Sequence, residues 1–223
     1  RLGVELNIFT MAFQDFKNLS KTFEASELEV KGYFPKTLAA SEASLTHQEK
    51  DEGALLIDIA DDVTQIILWK NGQLAGTQSL KLGGRFLTSH IAEKYGIEEH
   101  DAEKVKEQFG TLEREVDFAD ELIPLVERNG KNQRQIRRGE FQEYFFDLAQ
   151  QWMQAILDQA EAFARDHKVL YPHTVFTGGG TGRDGFIEFL QREFKRESRI
   201  GYAKGLQAPN ELLVDPSLVS GLG

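Results

Sequence analysis

The sequence predicts an α/β fold with a mixed sheet, and three stretches of the chain favour this fold class. Residues 54–80 contain three β-rich runs joined by tight turns. Residues 83–95 begin with a glycine pair and continue as an amphipathic helix, and residues 175–194 combine a strand, a glycine run and a helix. Strands that alternate with helices and tight turns predict a sheet that is covered by helices.

The bulk composition excludes several classes of protein. The chain has 223 residues, of which 40% are hydrophobic and 28% are charged, so it can bury a sizeable core. Cysteine is absent, which excludes disulfides, thiol catalysis and cysteine-bound zinc. The net charge of -10 argues against a nucleic-acid partner. No apolar run reaches the roughly 20 residues of a membrane helix. The first residue is Arg1 rather than methionine, so we expect the chain to begin within a longer protein.

The first fifty residues, 1–50, predict a small α/β unit of their own. The predicted elements are a strand over Val4–Phe9, a helix over Met11–Ala25, a strand over Leu28–Phe34 and a helix over Lys36–Leu45. In the first helix, four apolar residues recur at helical spacing and predict a buried face. They are Phe13, Phe16, Leu19 and Phe23. The polar stretch Thr46–Gly53 predicts the connection to a second unit, residues 51–223.

The second unit begins with the three β-rich runs, and Asn71-Gly72 between the last two predicts a two-residue hairpin. The runs are Ala54–Ile59, Thr64–Lys70 and Leu74–Leu80. Two helices, a hairpin, a long helix, a strand and a helix are predicted to follow. The first helix covers Gly84–Tyr95, and the second runs from an N-cap at Asp101 to Phe109. The hairpin pairs Ile123–Val126 with Gln135-Ile136, and the long helix covers Glu140–His167. The strand ends at Phe176, and the last helix covers Phe186–Phe194. The aromatic stripe of the long helix is typical of a core-facing surface.

Three features of the second unit are candidate functional groups. Asp58 ends a buried strand and precedes a turn, which suits a metal-bound phosphate but also an ordinary turn-forming aspartate. The glycine run after Thr177 places backbone amides at a helix N-terminus, where they bind a phosphate or simply permit close packing. The basic stretch of residues 128–138 is either a solvated hairpin tip or a dock for an acidic partner segment.

A series of short motifs along the chain carries a resemblance to a known fold. The motifs are Leu28-Glu29-Val30, Leu38–Ala43, Glu49–Gly53, Leu56–Ile59, Gly83-Gly84, Thr88, Ile91-Ala92, Ala102-Glu103, Lys106, Phe109-Gly110 and Thr177–Gly180. Their order and spacing resemble the second half of the actin, hexokinase and heat-shock chaperone ATPase fold. Within that superfamily the sequence is most similar to the bacterial cell-division protein FtsA family, over nearly the whole chain, although residues 112–140 match loosely. The opening unit resembles the small inserted domain of that family.

The resemblance implies an ATP and Mg²⁺ site, and it implies partners. The implied nucleotide-binding residues are Asp58, which would act through Mg²⁺, and Thr64, Gly83, Gly84, Glu103, Lys106, Gly178, Gly179 and Gly180. The family further implies filaments of this protein in the cytoplasm at the inner face of the cell membrane, linked to the tubulin-like division protein FtsZ. Charge complementarity predicts docking of FtsZ at Arg128, Arg134, Arg137 and Arg138. The first nucleotide-binding half and the membrane helix of the family would lie outside this chain.

The turn after Asp58 departs from the family pattern. The family hairpin reads Asp-Ile-Gly-Gly-Gly-Thr-Thr-Asp, and here Ala60, Asp61 and Asp62 replace the three glycines. Glycine lets backbone amides approach a phosphate closely, whereas two aspartates place like charges beside it. Like charges about 4 Å apart cost roughly 4 kcal/mol at an effective dielectric constant of 20. The departure predicts that the hairpin survives and that ATP binding is weakened or lost.

Two alternatives from the same superfold stay open at this point. One is a protein like the pilus-assembly protein PilM, which holds a short peptide of a membrane partner. The other is an ATPase or sugar kinase, although a kinase would need a catalytic aspartate outside this chain. No catalytic residue is predicted, because the five histidines show no metal-ligand spacing and no Ser-His-Asp signature is present.

Overall fold

The structure of the chain, a computed structural model, describes residues 3, 6–114, 117, 119–128, 130, 133–205 and 209–222. The helices are α1 (Phe13–Ala25), α2 (Lys36–Ser44), α3 (His47–Glu52), α4 (Arg85–Tyr95), α5 (Glu99–Phe109), α6 (Arg138–Asp166), α7 (Phe186–Phe194), α8 (Asn210–Leu213) and α9 (Val219–Leu222). The strands are β1 (Ala54–Ile59), β2 (Thr64–Lys70), β3 (Gln73–Leu80), β4 (Leu122–Val126), β5 (Gln133–Arg137), β6 (His173–Thr177) and β7 (Arg199–Ile200). Two short 3₁₀ turns lie over Gly179–Thr181 and Pro216–Leu218.

The main sheet is mixed and has the strand order β3-β2-β1-β6-β7. Strands β1, β2 and β3 form an antiparallel meander, whereas β1 pairs with β6, and β6 with β7, in parallel. Strands β4 and β5 form a separate hairpin, as predicted. The predicted α/β fold class with a mixed sheet is therefore confirmed. In the parallel pair, Asp58 lies opposite Thr177, so the segments that follow β1 and β6 emerge at the same edge of the sheet.

Alternate residues of β1 face two different helical layers. Leu55 and Ile57 belong to the larger core, together with buried residues of α4, α5, α6 and α7. Leu56 belongs to the smaller core on the opposite face, which α2 and the C-terminal Val219 cover. Because side chains alternate along a strand, Asp58 lies on the same face as Leu56 and looks towards α2.

Helix α6 supplies more buried residues to the larger core than any other described element. The aromatic stripe predicted to be buried does face inward, and Phe141, Phe145 and Trp152 are all almost completely buried. The ring of Phe141 stacks against that of Phe145, with centroids 5.9 Å apart. Among the described helices, none combines the length and the apolar character that crossing a membrane requires.

The N-terminal region differs from the prediction. Residues 6–9 and 28–34 form no strand, and Val4 lies outside the described residues. A strand needs a neighbour to accept its hydrogen bonds, and none of the described strands runs alongside either segment. Helix α1 forms as predicted, but its apolar side is not buried, since Phe13 is 75% exposed. Helices α2 and α3 pack against the main sheet, and the division of the chain at residue 50 stays a prediction.

Two helix starts were also predicted wrongly. The stretch 46–53 is not a plain connection, because it contains α3, whose N-cap Thr46 and third residue Glu49 form a reciprocal capping box. Helix α5 begins at Glu99, with Glu98 as its N-cap, so Asp101 lies within the first turn instead of capping it. There its carboxylate interacts favourably with the helix dipole.

Glu49 also joins α3 to the last strand of the main sheet. Both of its carboxylate oxygens accept hydrogen bonds from Arg199 of β7, at 2.7 and 2.6 Å. Burial raises the pKa of the Glu49 carboxyl, but the hydrogen bonds from Arg199 and Thr46 outweigh it and lower the pKa from 4.5 to about 2. The lowered pKa means that this contact stabilises the fold when Glu49 is ionised.

We therefore expect an acid-dependent loss of stability that Glu49→Gln removes. The contribution of Glu49 is complete above the unfolded pKa of 4.5 and is lost as the pH falls towards 2. Urea unfolding of both forms between neutral pH and the acid range measures it. The wild type should lose stability more steeply below pH 4.5 than Glu49→Gln does. Parallel curves for the two proteins would contradict the assignment.

Candidate functional site

A cleft lies at the edge of the main sheet where β1 and β6 end. It encloses about 420 Å³, a size typical of small-molecule sites. Its walls come from the turn after β1, the start of α4, helix α5, the glycine turn after β6, one residue of α6 and the C-terminal 3₁₀ turn. The lining residues are Ala60, Asp61, Gly84, Leu87, Glu103, Lys106, Glu107, Trp152, Gly179, Gly180, Arg183 and Ser217.

The start of α4 is locked onto the turn between β1 and β2. The amide of Gly84 donates to the carbonyl of Ala60 at 2.9 Å, and that of Arg85 donates to the carbonyl of Asp61 at 2.9 Å. A Cβ atom at Gly83 would lie 2.2 Å from the Asp61 carbonyl oxygen, which no side chain tolerates. Gly83 is therefore required for the close approach of helix and turn, whether or not a ligand binds.

The two aspartates of the turn between β1 and β2 pair with the same arginine. The Arg85 guanidinium lies 3.1 Å from Asp61 Oδ2 and 2.8 Å from Asp62 Oδ1. The hydrogen bond to Asp61 and the charges of Asp62 and Asp61 raise the pKa of Arg85 above its ordinary value. One cation is thus placed against two carboxylates, and the turn keeps a net negative charge.

The cation on the α5 wall is also paired internally. Lys106 Nζ is buried, lies 2.6 Å from Glu103 Oε2 and donates to Thr88 Oγ1 at 2.8 Å. Thr88 in turn donates to Glu103. Burial raises the pKa of Glu103, but the hydrogen bonds from Lys106 and Thr88 outweigh it, so the pKa lies below its ordinary value. The Lys106 charge is therefore already balanced within the protein.

The glycine turn after β6 packs tightly against the end of β1. Gly178 has a positive φ of 89°, and a Cβ atom there would lie 2.4 Å from both Asp58 Oδ1 and the Ile59 carbonyl oxygen. A Cβ at Gly180 would lie 2.5 Å from Ile59 Cγ2. The Gly178 amide donates to the Pro216 carbonyl at 3.0 Å, so the C-terminal segment uses this donor. At Gly179 the nearest atom to an added Cβ is Ser217 Cβ at 3.7 Å, which leaves this position open to the cleft.

The structure brings together most of the residues that the resemblance assigned to a nucleotide. Five of them line the cleft, namely Gly84, Glu103, Lys106, Gly179 and Gly180. Gly83 and Gly178 are not lining residues, but each precedes one in the sequence. Thr64 and Asp58 do not line it, since the Thr64 hydroxyl donates to the Leu82 carbonyl at 2.6 Å and Asp58 faces α2.

Sequence reasoning missed Glu107, Arg183 and Ser217, which line the cleft, and Arg85, which pairs with the acidic turn beside it. Arg85 could have been found, because a lone arginine follows the glycine pair, whereas Ser217 carries no motif. Arg183 donates to the carbonyls of Lys106 and Gly110 at 2.8 and 3.1 Å, and burial lowers its pKa. It holds α5 against the glycine turn.

The residues do not fit a Mg²⁺ ion at Asp58. Mg²⁺ requires several oxygen ligands in octahedral geometry at about 2.0–2.1 Å. The Asp58 carboxylate instead faces the Lys36 ammonium, whose Nζ lies 3.1 Å from Oδ2. Nowhere in the described part of the chain do three or more acidic or histidine side chains gather in a way that could hold a metal ion.

Among the described residues of the basic stretch, three arginines have internal partners and one has none. Arg128 donates to the Ile97 carbonyl at 3.0 Å, Arg134 donates to the Tyr95 carbonyl, and Arg138 pairs with Glu121 at 2.8 Å. Arg137 is exposed, and within the described residues its side chain has no ion pair or hydrogen bond. Lys131 lies outside the described residues. Arg137 is thus the arginine of this stretch that a partner could reach without breaking an internal contact.

The strand order, the cleft at the sheet edge and the glycine turns define a protein of the actin-like ATPase fold. Solved structures of this fold resemble the chain at 15% sequence identity. The PilM–PilN type IV pilus biogenesis complex aligns with a TM-score of 0.65 over 93% of this chain and 55% of the other. MreB5 of Spiroplasma citri bound to ADP aligns with a TM-score of 0.64 over 95% of this chain and 64% of the other.

Sequence comparison identifies the family within this fold. The family model described as cell division protein FtsA matches residues 55–223, and the chain belongs to that family. The FtsA protein of Bacillus subtilis is 28% identical over the whole chain, which covers 49% of that relative. The FtsA protein of Neisseria meningitidis is 24% identical over the whole chain, which covers 54% of it. The chain thus spans about half the length of the curated relatives it matches.

The two glycines at the start of the glycine turn should respond differently to substitution. Gly178→Ala should lower the free energy of unfolding by more than about 1 kcal/mol, because its φ is positive and the added Cβ meets backbone. Gly179→Ala, the matched control, should change it by less than about 0.5 kcal/mol. Urea denaturation measures both. Equal losses would contradict the packing role assigned to Gly178.

Proposed function

We propose that the protein is an FtsA-like scaffold of the actin fold, which links filaments of the tubulin-like protein FtsZ to the cell membrane and binds ATP weakly or not at all. Membership of the FtsA family supports the division role. The acidic turn at the mouth of the cleft is the observation that carries the proposal about ATP. Filament formation and a position at the inner face of the membrane belong to the same proposal.

The charges around the cleft support weak nucleotide binding. Three carboxylates line it, those of Asp61, Glu103 and Glu107. Two nearby cations, Arg85 and Lys106, already form ion pairs within the protein. A triphosphate would have to break these pairs or accept like charges close by. At an effective dielectric constant of 20, one like-charge contact at about 4 Å costs roughly 4 kcal/mol, which is close to three powers of ten in affinity.

The fold itself does not oppose a nucleotide. MreB5 of Spiroplasma citri has been solved with ADP and with AMPPNP. This chain keeps a cleft of about 420 Å³ at the edge of its sheet. The proposed loss is therefore local, and it comes from the side chains of the turn rather than from the shape of the cleft.

The outer face of the β4–β5 hairpin is the proposed contact for FtsZ. Its inner face is buried through Ile123, Leu125 and Ile136. On the outer face Leu122 is 51% exposed and lies directly opposite Arg137. An exposed apolar side chain beside a cation that pairs with none of the described residues suits a partner segment that contains both acidic and apolar residues.

Isothermal titration of the intact protein with MgATP tests the proposal about ATP. We expect a dissociation constant in the millimolar range or no binding. The double variant Asp61→Gly with Asp62→Gly should bind MgATP at least about tenfold more tightly, because two carboxylates are removed and the backbone can approach a phosphate. Micromolar binding of MgATP by the wild type would contradict the proposal of weak or absent ATP binding.

A charge-only variant separates the two causes. Asp61→Asn with Asp62→Asn removes the carboxylates and keeps side chains of the same size, so it should recover only the electrostatic part of the gain. If neither the glycine nor the asparagine pair binds MgATP more tightly than the wild type, the acidic turn is not what limits binding.

Charge reversal at the hairpin tests the FtsZ contact. Arg137→Glu should weaken binding of purified FtsZ to the intact protein by roughly tenfold, since an exposed attraction becomes a repulsion. Arg165→Glu is the matched control, because Arg165 is also exposed and lies at the far end of α6. Co-sedimentation or surface plasmon resonance measures both variants. Equal binding by Arg137→Glu and the control would remove the hairpin from the proposal.

A further inference from the structure

The environment of Asp58 poses an electrostatic problem. Its side chain is 3% exposed, and Oδ2 is fully buried and accepts no hydrogen bond from any described residue. A buried carboxylate without a partner is strongly unfavourable, so it needs either a cation or hydrogen-bond donors. Among the described residues, Asp58 forms an ion pair with Lys36, whose Nζ lies 3.1 Å from Oδ2.

The position of Lys36 indicates that this pair is more than an incidental surface contact. Lys36 is the first residue of α2, directly after the N-cap Pro35. A cation at a helix N-terminus opposes the helix dipole, so the position by itself disfavours lysine. Helix α2 is anchored in the smaller core through Ala40 and Ala43, which directs its first turn at the end of β1. The Asp58 carboxylate supplies the interaction that offsets the unfavourable placement.

We propose that Lys36 is a tethered cation that replaces a divalent metal ion at Asp58 and makes this edge of the sheet independent of Mg²⁺. The carboxylate that ends β1 is neutralised by an ammonium of the chain itself. Mg²⁺ would have to displace that ammonium or share the same carboxylate with it, and two cations on one carboxylate repel each other. The neighbouring carboxylates of Asp61 and Asp62 cannot complete a metal site, because both are paired with Arg85.

The inference rests on the proposed function only in that both concern this edge of the sheet. It implies that Asp58 holds no divalent ion there, whether or not an occupant fills the cleft. The ion pair between Lys36 and Asp58 alone supports this inference, which does not require that the protein binds a nucleotide. The test uses the metal ion without nucleotide, so its failure is distinct from failure of the ATP proposal.

Thermal unfolding of the intact protein in EDTA and in excess MgCl₂ is the first measurement. The wild type should melt at the same temperature in both, and calorimetric titration with MgCl₂ alone should show no binding. Lys36→Met should lower the melting temperature in EDTA by roughly 3–6 °C, because Asp58 is left without its cation. MgCl₂ should restore part of that loss, since the metal can now reach the carboxylate.

Three further variants make the outcome specific. Lys36→Arg keeps the charge and should behave like the wild type in both solutions. Lys36→Met combined with Asp58→Asn should show no response to MgCl₂, because the carboxylate is gone. Lys81→Met is the matched control at an exposed lysine and should change neither melting temperature.

The proposal is overturned if the wild type binds Mg²⁺, or if Lys36→Met and Lys81→Met melt alike. If Lys36→Met does not fold, the MgCl₂ titrations of the wild type and of Lys36→Arg decide, and binding by either one overturns the proposal.

Discussion

The parallel pairing of β1 with β6 is the constraint on which the rest of the structure depends. It sets Asp58 opposite Thr177, so the turn after β1 and the glycine turn after β6 leave the sheet side by side. The two turns then pack so closely that Gly178 has no room for a Cβ atom. Helix α4 docks on the first turn with the same tightness through Gly83. The cleft is the space left between these packed segments and α5.

Internal ion pairs account for the chemistry of that edge. Lys36 faces Asp58, Arg85 faces the acidic turn, and Lys106 faces Glu103. An anion-binding site needs cations or amide donors that are free to turn towards the ligand. Here the three cations are engaged with carboxylates of the protein itself, and these pairs hold the neighbouring elements together. The cations could turn towards a ligand only by giving up contacts that stabilise this edge.

How much the sequence could predict depended on whether the relevant signal was local. The three strands of the meander, the long aromatic helix and the glycine turn were predictable, because periodicity and turn residues act over a few positions. The strands expected near the N-terminus were wrong, since alternation in residues 6–9 and 28–34 cannot supply a pairing partner. The pair between Lys36 and Asp58 joins positions far apart in the chain, and only the packing of α2 on the sheet brings them together.

The fold requires glycine at some positions around the cleft and not at others. Gly83, Gly178 and Gly180 are kept where a Cβ atom would collide with neighbouring atoms, so the fold requires them. In the turn after β1, Ala60–Val63 all adopt negative φ angles, and side chains are accommodated there without backbone strain. The hairpin therefore does not need glycine in that turn. Asp61 and Asp62, with Arg85 as their shared partner, give the mouth of the cleft a net negative charge and leave the hairpin intact.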